Sequence, residues 1–392
     1  MTPSALPAAA IGRPILFLAV AAFAAMAAMR VSDPLVPQLA EDFQTGVGEA
    51  AIVASAFSLA YGLAQLALGP IGDRLGAFRV AAIMAALAGL ATILAAFADS
   101  LTTLGLLRLL GGIASGGIIP LAMVFIGEVV PPDRLQAVLA RFMSSSILGF
   151  VAGQALGGLI GGWIGWRWLF ALLGGVFLLA GALLLAELWA GRSVPRSPPR
   201  PFSLATYPAL LRHARVRLVI GCAFVEGFLF FGTYTYAGAF LRHAYDLDYA
   251  PIGMILAAYG VGALGFSLTA PSLIARLKQR GLVLLGGLGM AVAFGGMAAT
   301  PPLWAVVFLV ALSGLGFYTM HNTLQTLATQ MAPANRGAGM SLFVTALMVG
   351  QAVGVELIGR LVEQGGYALA FLPAAIFLPI LGLYLRRRLG RG

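Results

Sequence analysis

Two carboxylates, Asp33 and Glu226, sit inside long apolar runs, and that placement points to proton or cation chemistry. A charged side chain at mid-bilayer costs about 2.5–3.5 kcal/mol on insertion scales, so one kept there is expected to face a water-filled cavity, a partner or a bound ion. Glu226 is followed by Phe230 and Tyr234 at helical spacing. A carboxylate among aromatic rings either exchanges a proton and meets a cation, or is a protonated core group held by a hydrogen bond. Arg30 stands three residues before Asp33 on the same helix face, where it either balances the carboxylate or binds an anionic substrate group. Tyr318, His321, Asn322 and Gln325 recur at i, i+3, i+4 and i+7, one polar stripe along an apolar helix, and its histidine can titrate near neutrality. Tyr61 and Gln65 form an i, i+4 pair that lines a cavity or bonds a neighbouring helix. Glu356 and Arg360, at the same spacing, read as a structural ion pair. The three histidines are scattered and keep no ligand spacing with cysteine or carboxylate, so no metal site is expected. No G-x-x-x-x-G-K-[ST] loop is present to cradle a nucleotide, so neither ATP nor another cofactor is expected, and the energy source left is an ion gradient.

The elements that must hold these groups follow from hydropathy. Of 392 residues, 60% are hydrophobic and only 10% charged, and the mean hydropathy is +0.95, which together exclude an ordinary soluble chain. A spanning helix needs about 20 apolar residues. Apolar runs bounded by Gly, Pro and charge predict twelve of them, at 14–40, 48–70, 78–98, 101–127, 137–162, 168–190, 216–242, 250–274, 281–299, 302–327, 337–361 and 366–386. The first run continues past Arg30 and Asp33 toward the second, so it is expected to be a span and not a cleaved signal. Between spans 6 and 7 lies a segment with arginines and four prolines, unsuited to hydrocarbon. The chain therefore divides into a six-helix bundle over 1–190, a linker over 191–215 and a second bundle over 216–392. Nineteen of the 24 basic residues fall at the ends that share a side with the termini, against three (Arg167, Arg242, Arg360) on the other, and Arg30 and Arg108 lie within spans. By the positive-inside rule both termini are cytoplasmic. The net charge of +10 is thus spent on topology, and no nucleic-acid partner is expected.

The halves echo each other. Ala60-Tyr61-Gly62 recurs as Ala258-Tyr259-Gly260, Gly153-Gln154-Ala155-Leu156-Gly157 as Gly350-Gln351-Ala352-Val353-Gly354, and Pro131-Pro132-Asp133-Arg134 as Pro333-Ala334-Asn335-Arg336. Between spans 2 and 3 runs Gly69-Pro70-Ile71-Gly72-Asp73-Arg74-Leu75-Gly76-Ala77-Phe78-Arg79. This G-x-x-x-D-R-x-G-x-x-R spacing resembles the loop between helices 2 and 3 of Major Facilitator Superfamily transporters. The repeats and the span count extend that resemblance to the whole chain.

The resemblance implies an all-α integral membrane fold of twelve helices in two pseudo-symmetric six-helix bundles that rock about a central cavity. It implies a monomer in the bacterial inner membrane that handles a small molecule and no resident cofactor. Spans 1 and 4 line the cavity in that family, which suggests an Asp33–Arg108 pair, and the surroundings of Arg108 resemble the span-4 arginine motif of drug–proton antiporters. Span 5, with Gly149, Gly153, Gln154, Gly157 and Gly158, is similar to the antiporter motif G-x-x-x-G-P-x-x-G-G, with Gln154 in the place of its proline. At the loop, Asp73 is expected to meet the positive start of span 11 near Arg336. Arg74, Arg79, Glu128 and Arg134 would complete a gate cluster that forms in one state and breaks in the other, with Gly69 and Gly76 shaping the turn. The expectation is proton-coupled efflux, with proton-coupled import of an organic anion as the alternative. A membrane enzyme acting on lipids would need a nucleophile, metal or acid–base cluster at the interface, and none is visible.

Overall fold

The computed structural model of the protein describes residues 8–190 and 205–389, which are helical or short connections, with no strand among them. Each expected span is a helix, and most run beyond their apolar core. Span 2 is Val47–Leu75, span 3 Ala77–Ala95, span 4 Leu101–Val129, span 5 Pro132–Ile164, span 6 Trp166–Trp189, span 7 Ala214–Tyr245 and span 10 Leu303–Met331. Span 1 corrects the single run over 14–40: it is Ala8–Arg30 and then Val36–Asp42, separated by turns. Pro34 sits in that gap and has no N–H to carry the ladder across.

Spans 8 and 9 share one helical run of 50 residues, Tyr249–Ala298, interrupted at Lys278 (φ 52°, ψ 179°). If straight it would be about 75 Å long, more than twice the hydrocarbon core. Gly262 and Gly286, however, both touch span 10, the first at Ala311 and Leu315 and the second at Gly316 and Met320. The chain therefore reverses at Lys278. Spans 11 and 12 likewise share Arg336–Arg388, interrupted at Gly366 (φ 74°, ψ −177°), where glycine carries no Cβ penalty. Of the linker, 191–204 lies outside the described residues, and the part nearest span 7 forms a short helix, Thr206–Leu211.

The repeat is a packing repeat. Gly149 and Gly153 of span 5 lie against the backbone of Phe23 and Ala27 in span 1, and Gly350 and Gly354 of span 11 lie against Phe224 and Phe228 in span 7. Small residues at that spacing let backbones meet, a main source of helix association in lipid. Span 5 runs unbroken through Gln154, without the kink that a proline would bring.

We call the side bearing the Gly69–Arg79 loop the basic face and the other the distal face. On the distal face the two halves are closed on each other. Gly158 of span 5 packs on Gly253 of span 8, Gly48 lies against Gly359 and Glu363, and Gly238 of span 7 sits on Asp33 and Pro34. Glu41 pairs with Arg242 at 3.4 Å and accepts a hydrogen bond from the Tyr249 hydroxyl at 2.7 Å. Contact persists to mid-depth, where Thr345 Oγ1 donates to the Gly62 carbonyl at 2.7 Å and Gly260 meets Val151.

Candidate functional site

Glu226 closes the helix Ala214–Glu226, and the next turn, Gly227–Phe231, is π-helical. Such bulges re-aim side chains and recur at functional sites. Here the bulge coincides with a close approach, since Gly227 packs directly on the Leu347 carbonyl of span 11. Glu226 is completely buried. One carboxylate oxygen, Oε2, lies 2.7 Å from His321 Nδ1, while Oε1 has no hydrogen-bond partner among the described residues. The sequence had offered Glu226 and the His321 stripe as separate groups, and the fold joins them. His321 is 14% exposed and stacks on Phe317, centroids 4.7 Å apart. Along its stripe Tyr318 and Asn322 are half-buried and Gln325 is exposed, so solvent contact grows toward the basic face. Aromatic rings wall the other sides: Phe230 contacts Tyr234, Tyr259 and Phe317, and Tyr259 contacts Tyr318.

A second polar group lies on span 1 just before its break. Arg30 and Asp33 are both fully buried, with Nη1 and Oδ2 3.6 Å apart. The guanidinium also donates from Nη2 to Gln351 Oε1 at 3.4 Å and lies over the rings of Phe231 (3.9 Å) and Phe150 (4.8 Å). The repeat supplies a counterpart: Gln154 Nε2 donates to the Tyr234 hydroxyl at 3.3 Å, and that hydroxyl donates to the Leu256 carbonyl at 2.9 Å. The two equivalent glutamines thus each reach span 1 or span 7 of the opposite half. Several buried atoms of this group have no hydrogen-bond partner among the described residues, including Arg30 Nε, both oxygens of Asp33, Gln154 Oε1, Gln351 Nε2 and the Tyr259 hydroxyl.

The expected Asp33–Arg108 pair is not formed. Arg108 donates instead to the carbonyls of Ala28 (2.7 Å) and Val53 (3.2 Å) and lies 4.2 Å over Phe57. Its choice follows from the break in span 1. Carbonyls in the last turn of a helix lose their partners, and a cation there is favoured by the helix dipole. Asp33 is left to Arg30, one turn away. Tyr61 is buried and stacked on Phe57, with Gln65 half-buried one turn further. Glu356 and Arg360 pair at 2.8 Å on the surface.

The expected loop is almost wholly helical: residues 69–75 end span 2, residues 77–79 begin span 3, and Gly76 alone makes the turn, with the gate residues placed around it but not gathered. Gly76 has φ +95°, a conformation that a residue with a Cβ reaches only at a cost, and Gly69 lies one residue before Pro70 in span 2. Arg74, Arg79, Glu128, Arg134 and Arg336 are exposed and Asp73 half-buried. Among the described residues, no ion pair links Asp73, Arg74, Arg79, Glu128 or Arg336 to anything, and Arg134 pairs only with its neighbour Asp133 at 3.7 Å. The gate cluster is therefore absent from this state. What sequence reasoning missed is the opposite closure, Glu41 with Arg242 and Tyr249. Its members come from three spans and share no periodicity.

Two related six-helix bundles, joined at one face and sharing buried ionisable groups between them, define a membrane transporter of the two-repeat kind. The profile of the Major Facilitator Superfamily matches residues 18–354 and, in a second match, 219–391, and the chain belongs to that family. It is a multi-pass secondary transporter of small molecules. Among its relatives are the uncharacterized MFS-type transporter YwfA of Bacillus subtilis, 27% identical over 379 residues (94% of this chain, 90% of the relative), and the inner membrane transport protein YnfM of Escherichia coli, 25% identical over 381 residues (94% and 89%). These relatives are transporters and not enzymes. A crystal structure of a mutant of the nucleoside transporter NupG superposes with a TM-score of 0.80 over 96% of this chain and 99% of the other, at 16% identity, a likeness of fold alone.

Proposed function

We propose that the protein is a proton-coupled exporter, exchanging a cationic or neutral amphipathic molecule for protons at a site built on Glu226 and His321. The observation that carries this is a fully buried carboxylate with one oxygen on a histidine at 2.7 Å and the other unpartnered. A carboxylate so placed is tolerated only when a proton, a charged histidine or a cationic ligand compensates it. Proton and cation then compete for the same oxygen, and that mutual exclusion is what exchange requires. The rings of Phe230, Phe317 and Tyr318 surround the pair with apolar and π surface suited to a lipophilic cation that displaces one of them. Asp33 is the second proton-carrying candidate, held by Arg30 in this state, while Arg108 serves span 1 as a cap.

With the basic face in the cytoplasm, as the positive-inside rule asks, both termini are internal and the distal closure makes this the state open to the cytoplasm. Asp73, Arg74, Arg79, Glu128, Arg134 and Arg336 assemble when that side closes. The protein works as a monomer in the bacterial inner membrane, driven by the proton gradient. One observation supports symport instead: Arg30 Nε and Nη1 make no hydrogen bond among the described residues and would suit the carboxylate of an organic anion carried with a proton.

Substrate-driven proton flux in reconstituted liposomes separates these. Lipophilic cations, neutral drugs and sugars, and organic anions are each imposed as gradients on the wild type, Asp33→Asn and Glu226→Gln. Exchange requires that cations or neutral compounds drive protons the opposite way and that Glu226→Gln abolish the coupling. Protons moving with anions only would replace export by symport and make Arg30 the binding residue.

A further inference from the structure

Span 2 contains an interior proline, Pro70, in its last turns, six residues before the turn at Gly76. In an α-helix the carbonyl of Leu66 would accept the N–H of residue 70, and proline has none. That carbonyl is nonetheless satisfied: the Tyr207 hydroxyl donates to it at 2.9 Å. Tyr207 belongs to the short helix Thr206–Leu211 in the connector between the halves and is itself only 9% exposed. Its hydroxyl also interacts with the side chain of Ser341 in span 11, so one phenol touches the connector, the first half and the second. Burial pushes the Tyr207 phenol above its usual range, which keeps it a donor.

The interior prolines of spans 8 and 12 lack such a partner among the described residues. Pro271, Pro373 and Pro379 also interrupt spanning helices, and no described side chain from another helix donates to the carbonyls four residues before them. The bond lies toward the basic face, beyond the mid-depth contact of Thr345 with Gly62, where the gate residues form no ion pair with the other half among the described residues. Pro70 leads directly into Asp73 and Arg74, so whatever fixes the helix here fixes the origin of the gate loop.

We propose that Tyr207 is a positioning residue for transport: its hydroxyl supplies the rung that Pro70 removes from span 2 and clasps the inter-half connector to the gate segment while the distal face is closed. Without it, that state holds an unpaired, half-buried carbonyl, a cost that it bears alone if the clasp parts when the halves rock. The same position would be indifferent to the hydroxyl if residue 70 had an N–H of its own.

The test uses the full-length protein with a reporter thiol at Ser32→Cys in a Cys222→Ser background, labelled by a membrane-impermeant maleimide from the distal side. Tyr207→Phe is expected to raise the labelling rate about fivefold, the weight of one net hydrogen bond. In a Pro70→Ala background, where the backbone regains an N–H to donate to the Leu66 carbonyl, the same substitution is expected to change nothing. Equal effects of Tyr207→Phe in both backgrounds, or no effect in either, would overturn the clasp. If Tyr207→Phe fails to fold, recovery of folded protein by adding Pro70→Ala supports the proposal, and failure to recover it counts against it.

Discussion

Spans 5 and 8 meet backbone to backbone, and one methyl group tests whether that contact closes the distal face. A β-carbon on Gly158 would lie 2.6 Å from both Cα and N of Gly253 and against the Tyr249 carbonyl. Carbon atoms pack at about 3.5–4.0 Å, so Gly158→Ala must part the two helices by about 1 Å. Overpacking of this kind costs typically about 1–3 kcal/mol, and backbone cannot swing aside as a side chain can. Because the contact joins opposite halves, the cost falls on the closed state and not on the fold of either bundle. Taking about 2 kcal/mol, the population open on the distal face rises about 30-fold. Ser32 is a suitable reporter, fully buried beside the break in span 1 with its hydroxyl unpartnered, and a cysteine there is nearly isosteric. Cys222 is the sole native thiol and is removed as serine. Labelling of Ser32→Cys from the distal side should then accelerate about 30-fold in Gly158→Ala, in proportion to the open population. Gly253→Ala, whose β-carbon would lie 2.7 Å from the Gln154 carbonyl oxygen and from Gly158 Cα, should behave alike. Unchanged labelling in two folded variants would refute the assignment of this contact to the gate.

The polar part of the same closure is weaker. Arg242 and Glu41 are 32% and 54% exposed, so their pair is worth at most about 1 kcal/mol; Glu41→Gln should raise Ser32→Cys labelling only a fewfold, and added salt should narrow the gap between variant and wild type. A 30-fold effect from Glu41→Gln would mean that the ion pair, not the glycine contact, holds the face shut. Arg108→Gln leaves the Ala28 carbonyl, at the broken end of span 1, without its donor and should lower thermal stability in detergent by about 1–3 kcal/mol while the protein that survives keeps its proton-to-substrate ratio. Loss of coupling at unchanged stability would return Arg108 to the proton path.

Most of the architecture was legible because a bilayer leaves few solutions. Every backbone group must be paired within its own helix, so twelve apolar runs imply twelve spans, and the doubled Gly-Gln-x-x-Gly cassette gives the two-fold. The site was legible residue by residue but not as a constellation. Asp33, Arg30, Glu226 and His321 announce themselves as polar groups in apolar runs. Nothing local says that Glu226 turns toward His321, 95 positions away, because a π-helical turn at Gly227–Phe231 sets that orientation and no residue type encodes one. Arg108 misled for a physical reason: depth along a span puts it near Asp33, yet the break at Pro34 leaves the Ala28 carbonyl without a helical donor, and the guanidinium takes that acceptor instead. Pro34 was in plain view, and weighing its missing N–H would have shown both the interruption of span 1 and the need for a donor there. The distal closure was invisible, since Glu41, Arg242 and Tyr249 are unremarkable alone and acquire a role only through the docking of two halves.

The two polar groups differ in what they can sense. Arg30 reaches Gln351 and Gln154 reaches Tyr234, and each of these bonds crosses from one half to the other. Rocking of the halves must stretch both, so the network around Asp33 changes with conformation. Glu226 and His321 lie on spans 7 and 10 of the same half and travel together, so their 2.7 Å contact is indifferent to rocking and responds to what occupies it. In the proposed cycle the labour divides accordingly: the pair in the second half holds the proton or the substrate, and the span 1 network, loosened when the distal face opens, is where occupancy and conformation meet. Coupling then requires both. Glu226→Gln removes the oxygen that proton and cation share and should abolish proton movement and weaken exchange of a cationic substrate for itself together, whereas Gln351→Leu, which removes only the cross-half acceptor of Arg30, should leave proton binding in place and let the distal face open without cargo.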